Sequence, residues 1–334
     1  MNEIEPIEEL KSRIRPVTEA DKDLPRFSYS RLDVYKNCPR NYWYKYIEKK
    51  RTEDTTLTLE LGGLLHKVLE LKGKMVVAQQ KIDYDYLLDV LQNGCEDEDG
   101  KIPGVGELRK RYFEEWFVAD NASGMTYEEK IKLFIDTLKD DMTENGKWQP
   151  QYLELNFEFV YNNKVQIIGF IDRVDMNSNG EYRAVDYKSS KKIYPDNKLA
   201  TSLQFGVYAL AILNQFGKLP VESQYDFIVL GEKQYALTKG WEKRLIKTLD
   251  RVFEQIETCA ASGVFPPKGS ALCHWCDYCK TNPRATIFRE ECEYHLLWTP
   301  TDKNWAAAKK WNALDVGNGK GNESKIKEKR KLIF

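Results

Sequence analysis

One stretch constrains this chain more than any other: Gly169-Phe-Ile-Asp172-Arg-Val-Asp175, a turn at Asn177-Ser-Asn-Gly180, then Ala184-Val-Asp186-Tyr-Lys188. Two apolar runs around an Asn-Gly turn signal a β-hairpin. Each run carries a carboxylate where a buried strand is ordinarily apolar. Side chains alternate along a strand, so Asp186 and Lys188 share a face, and Asp172 on the partner strand can converge on them. Asp175 has the opposite parity to Asp172. Two carboxylates and a lysine gathered this way are either a solvated ion-pair ladder or a metal site suited to phosphodiester hydrolysis.

The rest of the 334 residues bound what such a hairpin can serve. A hydrophobic content of 42% with 12% aromatics describes a globular protein. Fifty-one basic and 52 acidic residues leave a net charge of −1, so any surface for a polyanion must be local. No apolar run is long enough to span a bilayer. The opening MNEIEPIEELKSR is polar and acidic rather than a secretory signal, so a cytoplasmic protein of a bacterial or phage-infected cell, without membrane partners, is expected. Seven cysteines in such a protein point to a metal or cluster rather than to disulfides.

Residues 1–26 read as a polar, loosely attached extension. A helix is expected to start at Phe27–Ser30, with Ser28 or Ser30 as its cap. The following run to Tyr46 is aromatic and basic. Either it contacts nucleic acid, with Arg40, Tyr42 and Lys45 as candidates, or its rings are helix core and its charges a wet face. Leu61–Glu70 reads as a helix opened by Gly62-Gly63. It carries His66, one of three histidines, either structural or a ligand. Residues 75–150 read as a helical insertion broken by a solvated acidic loop at Cys95–Gly100. Leu153, Leu155, Phe157 and Phe159 alternate as in a half-buried strand. After an Asn162-Asn163 turn a second strand covers 164–174, so three antiparallel strands run from 153 to 188. A helix over 196–216 places Gln204 and Tyr208 on one face. Strands at 225–230 and 234–237 and an amphipathic helix at 239–261 complete an α/β order with a mixed sheet. Cys273-x-x-Cys276-x-x-Cys279 has the spacing of a cluster or zinc site, whereas Cys95 and Cys259 read as ordinary buried residues. Residues 302–314 suit a short helix, and the 296–334 tail is partly disordered, turning Gly-, Asn- and Lys-rich from Gly317.

Gly-Phe-Ile-Asp172-Arg-Val-Asp, Asp186-Tyr-Lys188, Gln204 with Tyr208, and the upstream His66 resemble the motifs of PD-(D/E)XK nucleases of the RecB type. That group includes AddB nuclease domains and CRISPR-associated exonucleases. Cys38 with the C-terminal cysteines resembles their iron–sulfur branch. The resemblance covers about residues 27–292. It implies a restriction-endonuclease-like core over 27–295, its mixed central sheet flanked by helices, with the helical insertion and a cysteine cluster region appended. It implies that Asp172, Asp186, the backbone carbonyl of Tyr187 and the His66 imidazole bind Mg²⁺ or Mn²⁺. Lys188 would orient and help deprotonate the attacking water, and Gln204 and Tyr208 would steady Lys188 and the DNA strand. Cys38, Cys273, Cys276 and Cys279 would hold a 4Fe-4S cluster. Such relatives place the last cysteine where Asn282 stands, so Cys292 is an alternative fourth ligand. Zinc, with His274 or His295, is the alternative metal. The expected function is a metal-dependent DNA exonuclease acting on single strands or duplex ends in recombination, repair or phage DNA processing, beside a helicase or another recombination or replication protein. A non-catalytic DNA-binding scaffold retaining the fold is the alternative, and a zinc-stabilised interaction module a third reading.

Overall fold

The computed structural model describes residues 6–50, 55–98, 100–119, 124–190, 193–199, 201–237 and 242–279, with 282, 288 and 292. The expected helix at 302–314, the 296–334 tail and His295 lie outside these. In chain order the strands are β1 (Ile14–Arg15), β2 (Arg26–Ser28), β3 (Gly94–Asp97), β4 (Gly100–Pro103), β5 (Gln149–Tyr161), β6 (Val165–Met176), β7 (Tyr182–Tyr187), β8 (Glu222–Phe227) and β9 (Glu232–Leu237). β3 and β4 pair with each other. The others form one sheet in the order β1-β5-β6-β7-β8-β9, with β2 also paired to β6. β6 and β7 are antiparallel with Arg173 opposite Val185. β7 and β8 are parallel with Asp186 opposite Tyr225. β9 returns antiparallel to β8. The sheet is therefore mixed, and the parallel pair needs a helical crossover between its strands.

The helices are α1 (Pro6–Arg13), α2 (Tyr29–Asn37), α3 (Pro39–Tyr42), α4 (Leu57–Val77), α5 (Tyr84–Asn93), α6 (Val105–Arg111), α7 (Phe113–Trp116), α8 (Tyr127–Thr137), α9 (Asp196–Leu199), α10 (Leu203–Phe216) and α11 (Glu242–Ser262). Among the described residues no helix is long and apolar enough to cross a membrane. The chain divides into two units, one of residues 1–16, 55–159 and 168–242, the other of 17–54, 160–167 and 243–334.

In the first unit α4 is the central helix. Thr56 caps it, its Oγ1 accepting the Leu59 N–H at 3.3 Å. Gly62-Gly63 thus lies inside the helix instead of opening it, because a side-chain oxygen several residues earlier already satisfies the first turn. Leu57, Leu61, Leu64, Leu65, Val68 and Leu69 pack with Val185 and Tyr187 of β7 and with Trp116 and Phe134. Each such buried leucine contributes about 1.5–3 kcal/mol of transfer free energy. Three further expectations change here. The extension is folded from residue 6: α1 leads into the edge strand β1, and Leu10 and Ile14 are buried. The acidic run expected as a solvated loop forms the β3–β4 hairpin, where Asp97 lies 2.9 Å from Lys67 of α4. The expected helix over 196–216 is broken into α9 and α10. Ser202 caps α10 through its Oγ, which accepts the Phe205 N–H at 3.3 Å. Gly217, at φ 71°, ends it in the left-handed conformation.

One face of β6 and β7 buries charge. Asp175 is fully enclosed, its carboxylate 2.8 Å from Arg173 Nε and 2.7 Å from Arg183 Nη2. Arg173 Nη1 donates to the Tyr187 hydroxyl at 2.8 Å, and Arg183 Nη1 lies 2.9 Å from Glu144. These alternate residues occupy the face that Asp172 and Asp186 do not.

The second unit joins α2, α3 and a π-helical turn at Trp43–Ile47 to α11 and the cysteine region. Ser28 caps α2, accepting the Arg31 N–H at 3.2 Å. Phe27 packs edge-on to Phe253 at 5.3 Å, and the Tyr161 hydroxyl donates to Asp250 at 2.8 Å. Tyr42 corrects an expectation. It is fully buried, stacked on Phe265, with its hydroxyl accepting from Arg31 Nη2 at 2.9 Å, so it offers no ring to nucleic acid. Arg40 Nε donates to the Phe265 carbonyl at 2.7 Å, and Lys45 is half-buried. Cys95 and Cys259 are half-buried rather than buried.

Candidate active site

The interior of β6 and the C-terminal end of β7 bring the sequence-predicted groups together. Lys188 Nζ lies 2.6 Å from Asp186 Oδ2. Asp172 Oδ2 accepts the backbone N–H of Tyr187 at 2.6 Å, which ties the two strands at the point where their carboxylates meet. α4 brings His66, whose Nδ1 is 3.5 Å from Asp172 Oδ2.

α10 supplies the support. Gln204 Nε2 donates to Asp186 Oδ1 at 2.6 Å, and its Oε1 accepts from Lys188 Nζ at 3.1 Å. The Tyr208 hydroxyl donates to the same Asp186 Oδ1 at 2.8 Å and accepts from Gln204 Nε2 at 2.9 Å. One amide thus spans the acid and the ammonium, and a helix spacing of four puts the phenol beside it. Burial, and next the Asp186 charge, raises the Tyr208 phenol well above its ordinary pKa and keeps it a donor.

Sequence reasoning undervalued Tyr225. It stands opposite Asp186 in the parallel register, donates to Gln204 Oε1 at 3.2 Å and shares a 2.7 Å hydrogen bond with Ser202. Lys188 Nζ also lies 4.9 Å from its ring centroid. No motif marked it, because an aromatic residue in a strand is ordinary core. Glu154 of β5 also arrives at the site. Its carboxylate and ligand atoms of His66 and Asp172 all lie within 4.8 Å of one another. Asp175 does not, as its parity predicts.

These donors fit a hard divalent ion. Carboxylate oxygens and an imidazole nitrogen are its ordinary ligands. Lys188 lies off the hydrogen-bond line to Asp186 Oδ2, so that enclosed oxygen takes no aligned donor. Burial and then the Asp186 charge push Asp172 well above the usual carboxylate range. Burial, with Glu70 next, pushes Glu154 up to about 7. Burial lowers His66, which leaves its imidazole neutral and able to ligate.

A stability test follows from Glu154. Its folded pKa exceeds the unfolded one, so its contribution is full at acid pH and is lost as pH rises through about 7. Metal-free Glu154→Gln protein should therefore melt higher than wild type at pH 8 and alike near pH 4. Added Mn²⁺ should raise the wild-type melting temperature at pH 8 more than that of the variant. Equal metal-free melting at pH 8 would contradict the assignment.

Within the second unit, a cavity of about 220 Å³ is lined by Cys38, Cys273, Cys276, Cys279 and Cys292. Backbone N–H groups of Lys268 and Ser270 point at the sulfurs of Cys38 and Cys273 at 3.4 and 3.5 Å, and Asn41 Nδ2 donates to Cys276 at 3.6 Å. Burial pushes the Cys276 thiol up to about 12. Asn282 is buried, its N–H on the Cys279 carbonyl. His274 is exposed and does not line the cavity.

A mixed sheet flanked by helices, with an acid–lysine set on two neighbouring central strands, defines an α/β nuclease core. Residues 26–281 match the family model of the PD-(D/E)XK nuclease superfamily, and the chain belongs to that superfamily. It is 29% identical over 205 residues to a subunit of the ATP-dependent helicase/deoxyribonuclease of Caldanaerobacter subterraneus subsp. tengcongensis, a match covering 56% of this chain and 17% of that protein. The corresponding helicase/deoxyribonuclease subunit from Clostridium novyi is 28% identical over 214 residues, covering 55% and 18%. The match thus spans less than a fifth of these relatives' length. A solved structure from Eubacterium rectale, described as a candidate exonuclease, aligns with a TM-score of 0.40 at 13% identity over 84% of this chain and 95% of that one.

Proposed function

We propose that the chain is a divalent-metal-dependent DNA nuclease that hydrolyses phosphodiester bonds from the ends of single strands or duplexes. The observation that carries this is the convergence of Asp172, Asp186 and Lys188, with Lys188 Nζ 2.6 Å from Asp186. Asp172, Asp186, His66, the Tyr187 carbonyl and Glu154 would hold Mg²⁺ or Mn²⁺. When bound, such an ion lowers the pKa of water and polarises the scissile phosphate. Lys188 orients the attacking water and offsets charge as the new P–O bond forms and the bond to the leaving oxygen breaks. Gln204 and Tyr208 hold Asp186 and Lys188 in place, so little reorganisation remains when substrate arrives. Arg40 and Lys45 remain candidate phosphate contacts. The helicase/deoxyribonuclease names of the relatives support a recombination or repair role beside a helicase.

The test is cleavage of end-labelled linear and circular DNA, single-stranded and duplex, with Mg²⁺ and with Mn²⁺. Linear DNA should be shortened from its ends and circles left intact. Cut circles would overturn the exonuclease mode. No cleavage of any substrate by metal-replete protein would overturn the nuclease reading and leave the scaffold.

We propose further that Cys38, Cys273 and Cys276, with Cys279 or Cys292, hold a 4Fe-4S cluster that ties α2 to residues 235 positions later. Sulfur-directed N–H groups suit such a site. Anaerobically purified protein should be brown and contain iron, and Cys276→Ala should lose both and melt lower. Of Cys279→Ala and Cys292→Ala, only the variant lacking the true fourth ligand should lose iron. Colourless protein carrying zinc would overturn the cluster.

A further inference from the structure

Two of the metal-ligand candidates, His66 and Glu154, line a cleft of about 940 Å³ whose other charged lining is ill suited to gripping phosphate. Lys67 and Lys74 line it, but Lys67 is held by Glu70 and Asp97 at 2.9 Å each, and Lys74 by Glu70 at 2.5 Å. Glu98 and Glu154 add further acid. A strand drawn along this wall would meet carboxylates, so backbone charge alone cannot seat it.

What the cleft does offer is apolar and flat. Phe170 is 57% exposed and Leu59 69% exposed, and both line the cleft. Phe170 precedes Asp172 by two on β6, so it shares that residue's face at a spacing of ~7 Å. Leu59, Gly62, Gly63 and His66 recur at helical spacing on one face of α4. A Cβ at Gly63 would meet nothing within 4 Å, and one at Gly62 only Ser189 Oγ at 3.6 Å. The glycines therefore leave bare helix surface between Leu59 and His66, where a side chain would fill the cleft.

We propose that Phe170 is a stacking platform for the nucleobase next to the scissile phosphate, with Leu59 and the Gly62-Gly63 face as further apolar lining. This rests on the nuclease reading and narrows its substrate to unpaired DNA. A base within a duplex has both faces covered by its neighbours and has none to give to Phe170. Stacking is tolerant of base identity, so the cleft selects strandedness and not sequence.

Binding of fluorescein-labelled single-stranded oligonucleotides, with Ca²⁺ in place of Mg²⁺, tests this separately from cleavage. Phe170→Ala should weaken binding roughly 5- to 150-fold and raise KM with little change in kcat, and Phe170→Trp should restore both. In oligonucleotides with one abasic position scanned along the strand, a single position should weaken wild-type binding to the Phe170→Ala level and leave the variant unaffected. Binding by Phe170→Ala within twofold of wild type, or full additivity of the two losses, overturns the proposal. Cleaving protein indifferent to Phe170 refutes the stacking alone. Protein that binds with this dependence and never cleaves refutes the nuclease reading alone.

Discussion

Asp186→Asn should cleave DNA about 10³-fold more slowly than wild type, or slower still, while folding as well as wild type. Asp186 is the group on which the site closes. Its Oδ1 takes the Gln204 amide and the Tyr208 hydroxyl, and its Oδ2 faces Lys188 with a lone pair to spare. An asparagine keeps the shape but loses the charge that a cation needs, and its amide turns a donor toward Lys188 or Tyr208. The strands around it stay tied, because the Asp172–Tyr187 bond and the packing of Val185 do not involve this side chain. Single-turnover rates at saturating Mn²⁺, beside a urea melt, check both halves. A rate above one tenth of wild type would sink the assignment.

Asp175→Ala should fail in the opposite way, costing about 3–5 kcal/mol of stability. Arg173 and Arg183 are buried and converge on this one carboxylate, 2.8 and 2.7 Å away. Removing it leaves two guanidiniums enclosed with their shared counter-charge gone. Against a typical total of about 5–15 kcal/mol, that is enough to unfold much of the protein. Asp172→Asn, three residues earlier in the same motif, removes a carboxyl that burial already disfavours as an anion, so the metal-free protein should be no less stable. Urea denaturation of the two variants separates them. A loss below about 1 kcal/mol for Asp175→Ala would show that the arginines find other partners.

That contrast was legible because strand side chains alternate with a fixed period. Parity alone separated Asp172 from Asp175 and put Asp186 with Lys188. The roles of His66, Gln204 and Tyr208 came from family resemblance, since nothing in a helical spacing says what a distant strand presents. Glu154 could not be placed by parity. Its φ of 45° departs from strand geometry, and alternation along β5 would have turned its carboxylate away from Leu153 and Leu155. Tyr42 misled for a simpler reason. An aromatic and basic run has the same composition whether its rings stack on bases or on Phe265, and only burial separates the two. The edge strand β1 escaped because two residues of strand, of which only Ile14 is buried, give no periodicity to read.

The second unit is assembled from three separated segments, 17–54, 160–167 and 243–334. On a ribosome, α2 and Cys38 emerge long before α11 and the later cysteines exist. At about 5–20 residues per second, the roughly 190 residues between segments 17–54 and 243–334 take roughly 10–40 s to synthesise. For that interval Phe27 lacks Phe253, and Cys38 lacks the later cysteines that line its cavity. Slowing translation across the first unit should therefore lower the yield of folded protein more than its activity per molecule.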